Sequence, residues 1–210
     1  MSKMSGYRGF TLGLGLALAA ALPIFAQEAT PAPAAPAAET LNMGTPAAPP
    51  APVTKDTAAV GQSYTLAQFD AWEQNCVKAA DGKDPCQMYQ LLKDADGNAV
   101  AEFSMFPLPS GQQAAAGATI MVPLETLLTA NLVIEVDGGV PKIYPFTFCA
   151  QPGCVARVGF TAEEVTQFKK GVKADMTIVP AVDPTKKVVL NISLKGFTAA
   201  LDAVTATLAP

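Results

Sequence analysis

Histidine does not occur anywhere in the 210 residues. That absence removes serine or cysteine nucleophiles activated through an imidazole, together with the usual zinc and copper ligand sets. Cysteine is missing before Cys76, so the amino-terminal segment offers no thiol for a bacterial lipid anchor. After Ala26 no apolar run is long enough to span a bilayer. Charged residues make up only 15% of the chain, and none of the lysines and arginines gather into a patch that would track a phosphate backbone, which sets nucleic acid aside as a partner. Carboxylate or lysine chemistry survives these exclusions, with Asp70, Glu73, Glu102 and Glu135 as conceivable members. The charge pattern favours none of them, so no catalytic, cofactor-binding or metal-ligating residue is assigned.

What is present begins with the layout of an export signal at residues 1–26. Lys3 and Arg8 precede an apolar run from Phe10 to Ala26, and polar Gln27 and Glu28 follow. Ile24 is larger than the small residue favoured three positions before a cleavage point, so retention of the leader as an anchor is the alternative to its removal. Residues 27–62 are dominated by alanine, proline and threonine, a composition that buries too little surface to offset its ordering entropy and predicts a disordered, partly polyproline-like linker. The remaining residues, 63–210, suffice for one domain with its own core. Without Lys3 and Arg8 the chain keeps 12 basic and 18 acidic residues, a net charge of −6.

Four cysteines in an exported chain predict two disulfides, for which three connectivities exist. Cys76 with Cys86 and Cys149 with Cys154 are the favoured pairs, because each flanks a short segment able to turn back on itself. Cys149 and Cys154 enclose Ala150, Gln151, Pro152 and Gly153, which supply turn chemistry. A redox-active pair is disfavoured, since thiol oxidoreductases place two residues between their cysteines and this pair has four.

Periodicity beyond Ser63 is mainly two. Val188, Leu190, Ile192 and Leu194 alternate with more polar neighbours, Leu132, Ile134 and Val136 do the same, and Trp72, Gln74 and Cys76 fall on one strand face. Residues 87–92 and 99–106 flank Asp94-Ala95-Asp96-Gly97, a hairpin signal. Thr161 and Glu164 form a capping box, Phe160 and Val165 a hydrophobic staple, and Gly171 a stop, predicting a short helix between them. Leu201, Val204 and Leu208 suggest a second helix after Phe197. The expected class is mainly β: an antiparallel sandwich or barrel-like domain with one or two short helices.

Three features invite sharper readings. Asp94, Asp96 and Asn98 copy the opening of a calcium loop, but its sixth position is Ala99 instead of glycine and its twelfth is Met105 instead of glutamate, which favours a plain turn. Tyr144, Phe146 and Phe148 have the spacing of one strand face and would line either a ligand groove or, more often for such a stripe, the core. Residues 107–117, rich in glutamine and alanine, read as a solvated loop.

The order of several short segments resembles the invasion-associated locus B family of exported alphaproteobacterial proteins. They are Trp72 followed by Cys76, Asp84-Pro85-Cys86-Gln87-Met88, Val122-Pro123-Leu124, Val136-Asp137-Gly138, Pro145-Phe146 leading to Cys149, Gly153-Cys154-Val155-Ala156, and the stretch from Ser193 to Leu201. The likeness runs from about Phe69 to Val204. It departs at Glu125 and Asn131, where such proteins often carry glycine; asparagine tolerates a left-handed backbone, and Glu125 implies a locally different turn. The resemblance implies a periplasmic, secreted or outer-membrane-associated protein, linked in pathogenic relatives to entry into host cells, that is non-catalytic, needs no cofactor and acts by binding an envelope or host-surface protein. A housekeeping role without a specific ligand, or a carboxylate-dependent envelope hydrolase, are the alternatives.

Overall fold

The computed structural model describes residues 51–208, so the expected leader and the linker up to residue 50 lie outside the described residues. Within the remaining part of that linker, Gly61 N–H donates to the carbonyl of Lys78, Lys78 N–H to that of Gln62, and Val53 and Ala58 rest against the core.

Alternation dictates two antiparallel layers. Strands β1 (Ser63–Phe69), β2 (Trp72–Val77), β3 (Cys86–Lys93), β4 (Ala99–Pro107), β5 (Ala116–Val122), β8 (Phe148–Ala150) and β9 (Gly153–Phe160) form a sheet ordered β1-β2-β3-β4-β5-β9-β8. Strands β6 (Leu132–Val136), β7 (Lys142–Tyr144), β10 (Lys173–Ile178) and β11 (Val188–Ser193) form the second, ordered β11-β10-β6-β7. The result is an open sandwich and not a closed barrel. Helix α1 (Ala162–Lys170) links β9 to β10, and α2 (Phe197–Ala206) follows β11 and lies on β1 to β4. α2 buries Phe197, Ala200, Leu201 and Val204; Leu208, expected on that stripe, lies beyond the helix end and is exposed.

The core is filled by inward residues of both layers, and aromatic rings run through it. Trp72, fully buried, meets Phe103 and Phe197 edge-on at 5.8 and 5.5 Å between centroids, and Phe160 meets Phe168 edge-on at 5.0 Å. Such contacts add about 0.5–1.5 kcal/mol each beyond area burial.

One polar residue joins the layers. Gln90 lies on the apolar face of β3 between Met88 and Leu92, and is nevertheless buried. Its carboxamide pairs with the backbone of Ser193 in β11: Ser193 N–H donates to Oε1 at 2.8 Å, and Nε2 donates to the Ser193 carbonyl at 3.0 Å. Trp72 Nε1 donates to that same carbonyl at 2.8 Å. Gln90→Leu keeps the volume but orphans the Ser193 N–H, so we expect it to cost about 1–3 kcal/mol, read as a lower urea midpoint at unchanged m value.

Cys76 is bonded to Cys86 and Cys149 to Cys154. Each pair is directly opposed across neighbouring strands, β2 with β3 and β8 with β9. With 10 and 5 residues of separation, closure entropy gives about 2–3 kcal/mol per bridge, the shorter loop less. The loop between Cys76 and Cys86 is pinned by Asp84, which accepts the Ala79 N–H at 2.8 Å and the Tyr64 hydroxyl at 2.6 Å. Those two bonds, with the Lys78 charge, hold the Asp84 carboxyl below the usual range.

Several local expectations are refined. Asp94 stabilises a hairpin turn, its Oδ1 accepting the N–H of Asp96 and of Asn98 and its Oδ2 the Asn98 side-chain amide, so both oxygens are engaged. The loop expected over 107–117 is shorter, because Pro107 ends β4 and Ala116 opens β5. Asn131 does adopt the left-handed region, at φ 58°. At Glu125 the chain turns through Thr126 N–H to the Pro123 carbonyl, and the Glu125 carbonyl accepts from Ala181 N–H at 2.7 Å.

Candidate functional site

Helix α1 starts where the sequence places its caps. Thr161 Oγ1 accepts the Glu164 N–H at 3.3 Å, and Glu164 Oε2 returns to the Thr161 N–H at 2.8 Å. Acidic Glu163 and Glu164 in its first turn and Lys169 and Lys170 in its last suit the helix dipole. Gly171 ends the helix in an extended conformation, φ −75°, not a left-handed one. Its requirement is space: a Cβ there would lie 2.7 Å from Leu194 Cδ1 and 2.9 Å from Val136 Cγ1.

This close approach sets α1 beside β6 and β7 and leaves a cleft of about 360 Å³ between them. Ile134, Tyr144 and Phe168 form its apolar floor, and Lys142, Gln167 and Lys170 contribute to its polar rim. Val140 stands at the mouth, 82% exposed. Across the cleft Tyr144 donates its hydroxyl to Glu164 Oε1 at 3.0 Å, and Lys142 Nζ lies 3.9 Å from the same oxygen. The capping glutamate is therefore also the tie between helix and sheet.

The electrostatics follow from these contacts. Burial of Glu164 pushes its pKa up, but the Thr161 N–H, the hydroxyls of Tyr144 and Thr161 and the Lys142 charge outweigh it, and the net direction is down. Tyr144 is pushed up, first by burial and then by the hydrogen bond and charge of Glu164. At the other end Asp137, at φ 48°, accepts the N–H groups of Val172 and Lys173 at 3.0 Å each, and these lower its pKa. Both cleft carboxylates are thus ionised and occupied by partners of their own.

A folded pKa below the unfolded one stabilises the protein above the unfolded value and loses that contribution as the pH falls through the folded value. Glu164→Gln is therefore expected to cost about 1–2 kcal/mol at pH 7 and to fall behind the wild type by less and less as the pH drops below the ordinary carboxylate range. Urea midpoints measured from pH 7 to pH 3 on both proteins check this.

The conceivable catalytic carboxylates are scattered. Asp70 sits in the β1–β2 turn, paired with Lys195 at 2.9 Å. Glu73 and Glu102 lie on the outer face of the large sheet, near enough to Tyr89 that their charges add to burial in raising its pKa. Glu135 lies on the outer face of the small sheet opposite Asp175. A general acid working at neutral pH needs a carboxyl pushed upward; Asp84, Asp94, Asp137, Glu164 and Asp183 are all displaced downward.

The aromatic stripe does not share one strand. β7 ends at Tyr144, and Pro145, which lacks an N–H, lets the chain cross to the other sheet. Tyr144 and Phe146 pack against the core, whereas Phe148 lies on the outer face of β8 beneath the Arg157 guanidinium, 5.5 Å from the ring centre. Lys142, Gln167 and Lys170 carry no sequence signal of a shared site, because only the β7–α1 approach brings them together. Glu164 was visible as a cap, not as a partner of Tyr144.

The chain matches the family model described as invasion associated locus B (IalB) protein over residues 72–205. It is 28% identical over 147 residues to invasion protein B homologues from two strains of Brucella abortus, covering 70% of this chain and 82% of each relative. Its fold is similar to the crystal structure of invasion associated protein B from Bartonella henselae, with a TM-score of 0.56, 20% identity, and coverage of 67% of this chain and 95% of that one. No helix among the described residues is long and apolar enough to cross a membrane.

Proposed function

Because the chain belongs to the invasion associated locus B family, we propose that it is an exported envelope protein that acts without catalysis, by binding a protein or surface component through the cleft between α1 and the β6–β7 pair. The observation that carries this reading is the state of the cleft: an apolar floor beside Val140, which is 82% exposed, with each carboxylate already held by neighbouring donors. A site whose carboxylates are so engaged offers shape and apolar surface, and no carboxylate free to take a proton. Export is supported by the two cross-strand disulfides, which persist in oxidising compartments.

A photo-crosslinking residue placed at Val140 in intact cells tests the proposal. One reproducible adduct, identified by mass spectrometry and lost when Gln167 is replaced by tryptophan to fill the cleft, is the expected result. If instead a single substitution at Asp70, Glu73, Glu102 or Glu135 abolishes function in a protein that stays folded, the enzymatic alternative is right.

A further inference from the structure

Among the described residues, the small sheet has one edge that the fold leaves open. Leu194 N–H donates to the Val172 carbonyl at 3.1 Å, so by antiparallel alternation Ile192, Leu190 and Val188 also face β10. Ser193, Asn191 and Val189 therefore turn their N–H and C=O groups to the free side of β11. At Ser193 those groups are taken by Gln90 and Trp72. At Asn191 and Val189 no backbone partner occurs among the described residues. The Gln90 carboxamide thus imitates the first rung of a neighbouring strand, and two further rungs lie vacant beside it.

The other three edges carry protection of the kinds that keep strands from pairing with strangers. β1 breaks register between Thr65 and Ala67, β7 is three residues long between Pro141 and Pro145, and β8 is three residues long before Pro152 and bonded to β9 by sulfur. β11 has none of these: its six residues keep unbroken register with β10, and it contains no proline.

We propose that the free edge of β11 receives an extended segment of a protein partner, apolar opposite Val189 and acidic opposite Lys187. Side chains on the outer face fix that pattern. Val189 is 53% exposed and begins a row that crosses the sheet through Thr177 and Val133 to Ile143, so an added apolar residue lengthens an existing apolar row. Two residues before Val189 on the same face stands Lys187, next to Lys186, and neither forms an ion pair among the described residues. The nearest acid on the outer face, Asp175, is engaged by Lys173 at 2.7 Å, and Asp183 bonds Thr185. A second copy pairing edge to edge would bring its own Lys186 and Lys187 to the same edge, so these lysines favour an acidic strand over a second copy of the same protein. The surface lies on the opposite edge of the small sheet from the cleft and stands independently of it.

The probe is a blocked six-residue peptide reading threonine, threonine, valine, threonine, glutamate, threonine, titrated into the full chain and followed by amide NMR. Shifts and slowed exchange at Val189 and Asn191 are expected, with binding at least about tenfold weaker for Asn191→Pro, which removes one outward N–H while the edge position tolerates proline. Lys186→Glu with Lys187→Glu, which leaves the ladder intact, is expected to weaken binding equally and serves if the proline variant does not fold. Shifts confined to other surfaces, absence of binding, or affinity unchanged in the lysine variant would overturn the proposal. Wild-type dimerisation abolished by Asn191→Pro would overturn it in favour of a second copy.

Discussion

Trp72→Ala is expected to unfold the domain at temperatures where the wild type is stable. The side chain is fully buried between the layers, touches Phe103 and Phe197 edge-on, and donates to the Ser193 carbonyl. Deleting a core tryptophan costs about 3–5 kcal/mol in transfer and cavity terms, and the loss of two aromatic contacts comes on top. Domain stabilities are only about 5–15 kcal/mol, so most of the margin goes. Trp72→Phe separates the contributions: it retains the ring packing and removes one hydrogen bond, and its cost is expected near 1–2 kcal/mol. Chemical denaturation of both variants measures the difference; equal stability of Trp72→Ala and wild type would mean that the layers are not joined at this point.

Gly196→Ala is expected to be nearly as damaging, although it adds a single methyl. Gly196 precedes α2 at φ 83°, in the left-handed region, and a Cβ there would overlap the Phe69 carbonyl and lie 3.1 Å from Asp70 Cβ. The obstacle is backbone, which cannot swing aside as a side chain does. Gly61 provides the comparison, with φ 85° and nothing within 4 Å of the same hypothetical atom. Gly61→Ala should therefore show the conformational penalty alone, about 1 kcal/mol, and Gly196→Ala about 3 kcal/mol or more because the β1–β2 turn must also shift. Thermal midpoints of the two variants side by side test this.

The layers, hairpin and capped helix were legible because they rest on local rules. Alternation at Val188, Leu190 and Ile192 marks β11, and the Thr161–Glu164 box marks α1 before any tertiary contact is known. The cleft was not legible, since Tyr144 and Glu164 become partners only through the packing of a strand against a helix 20 residues away. Gln90 was not legible: within residues 87–92 it reads only as part of a hairpin arm, and its partner Ser193 lies 103 residues distant. In sequence Pro145 only interrupts the spacing of Tyr144, Phe146 and Phe148, and its effect, to move the chain from one sheet to the other, depends on where each neighbouring strand finds its pair.

Both sulfur links join nearest neighbours along the chain, and both belong to the seven-stranded sheet. For a polypeptide threaded through a membrane pore, the first cysteine to emerge meets its mate after ten residues and the third after five. An oxidant that couples each thiol to the next one appearing would reach the native set directly, with no shuffling by an isomerase.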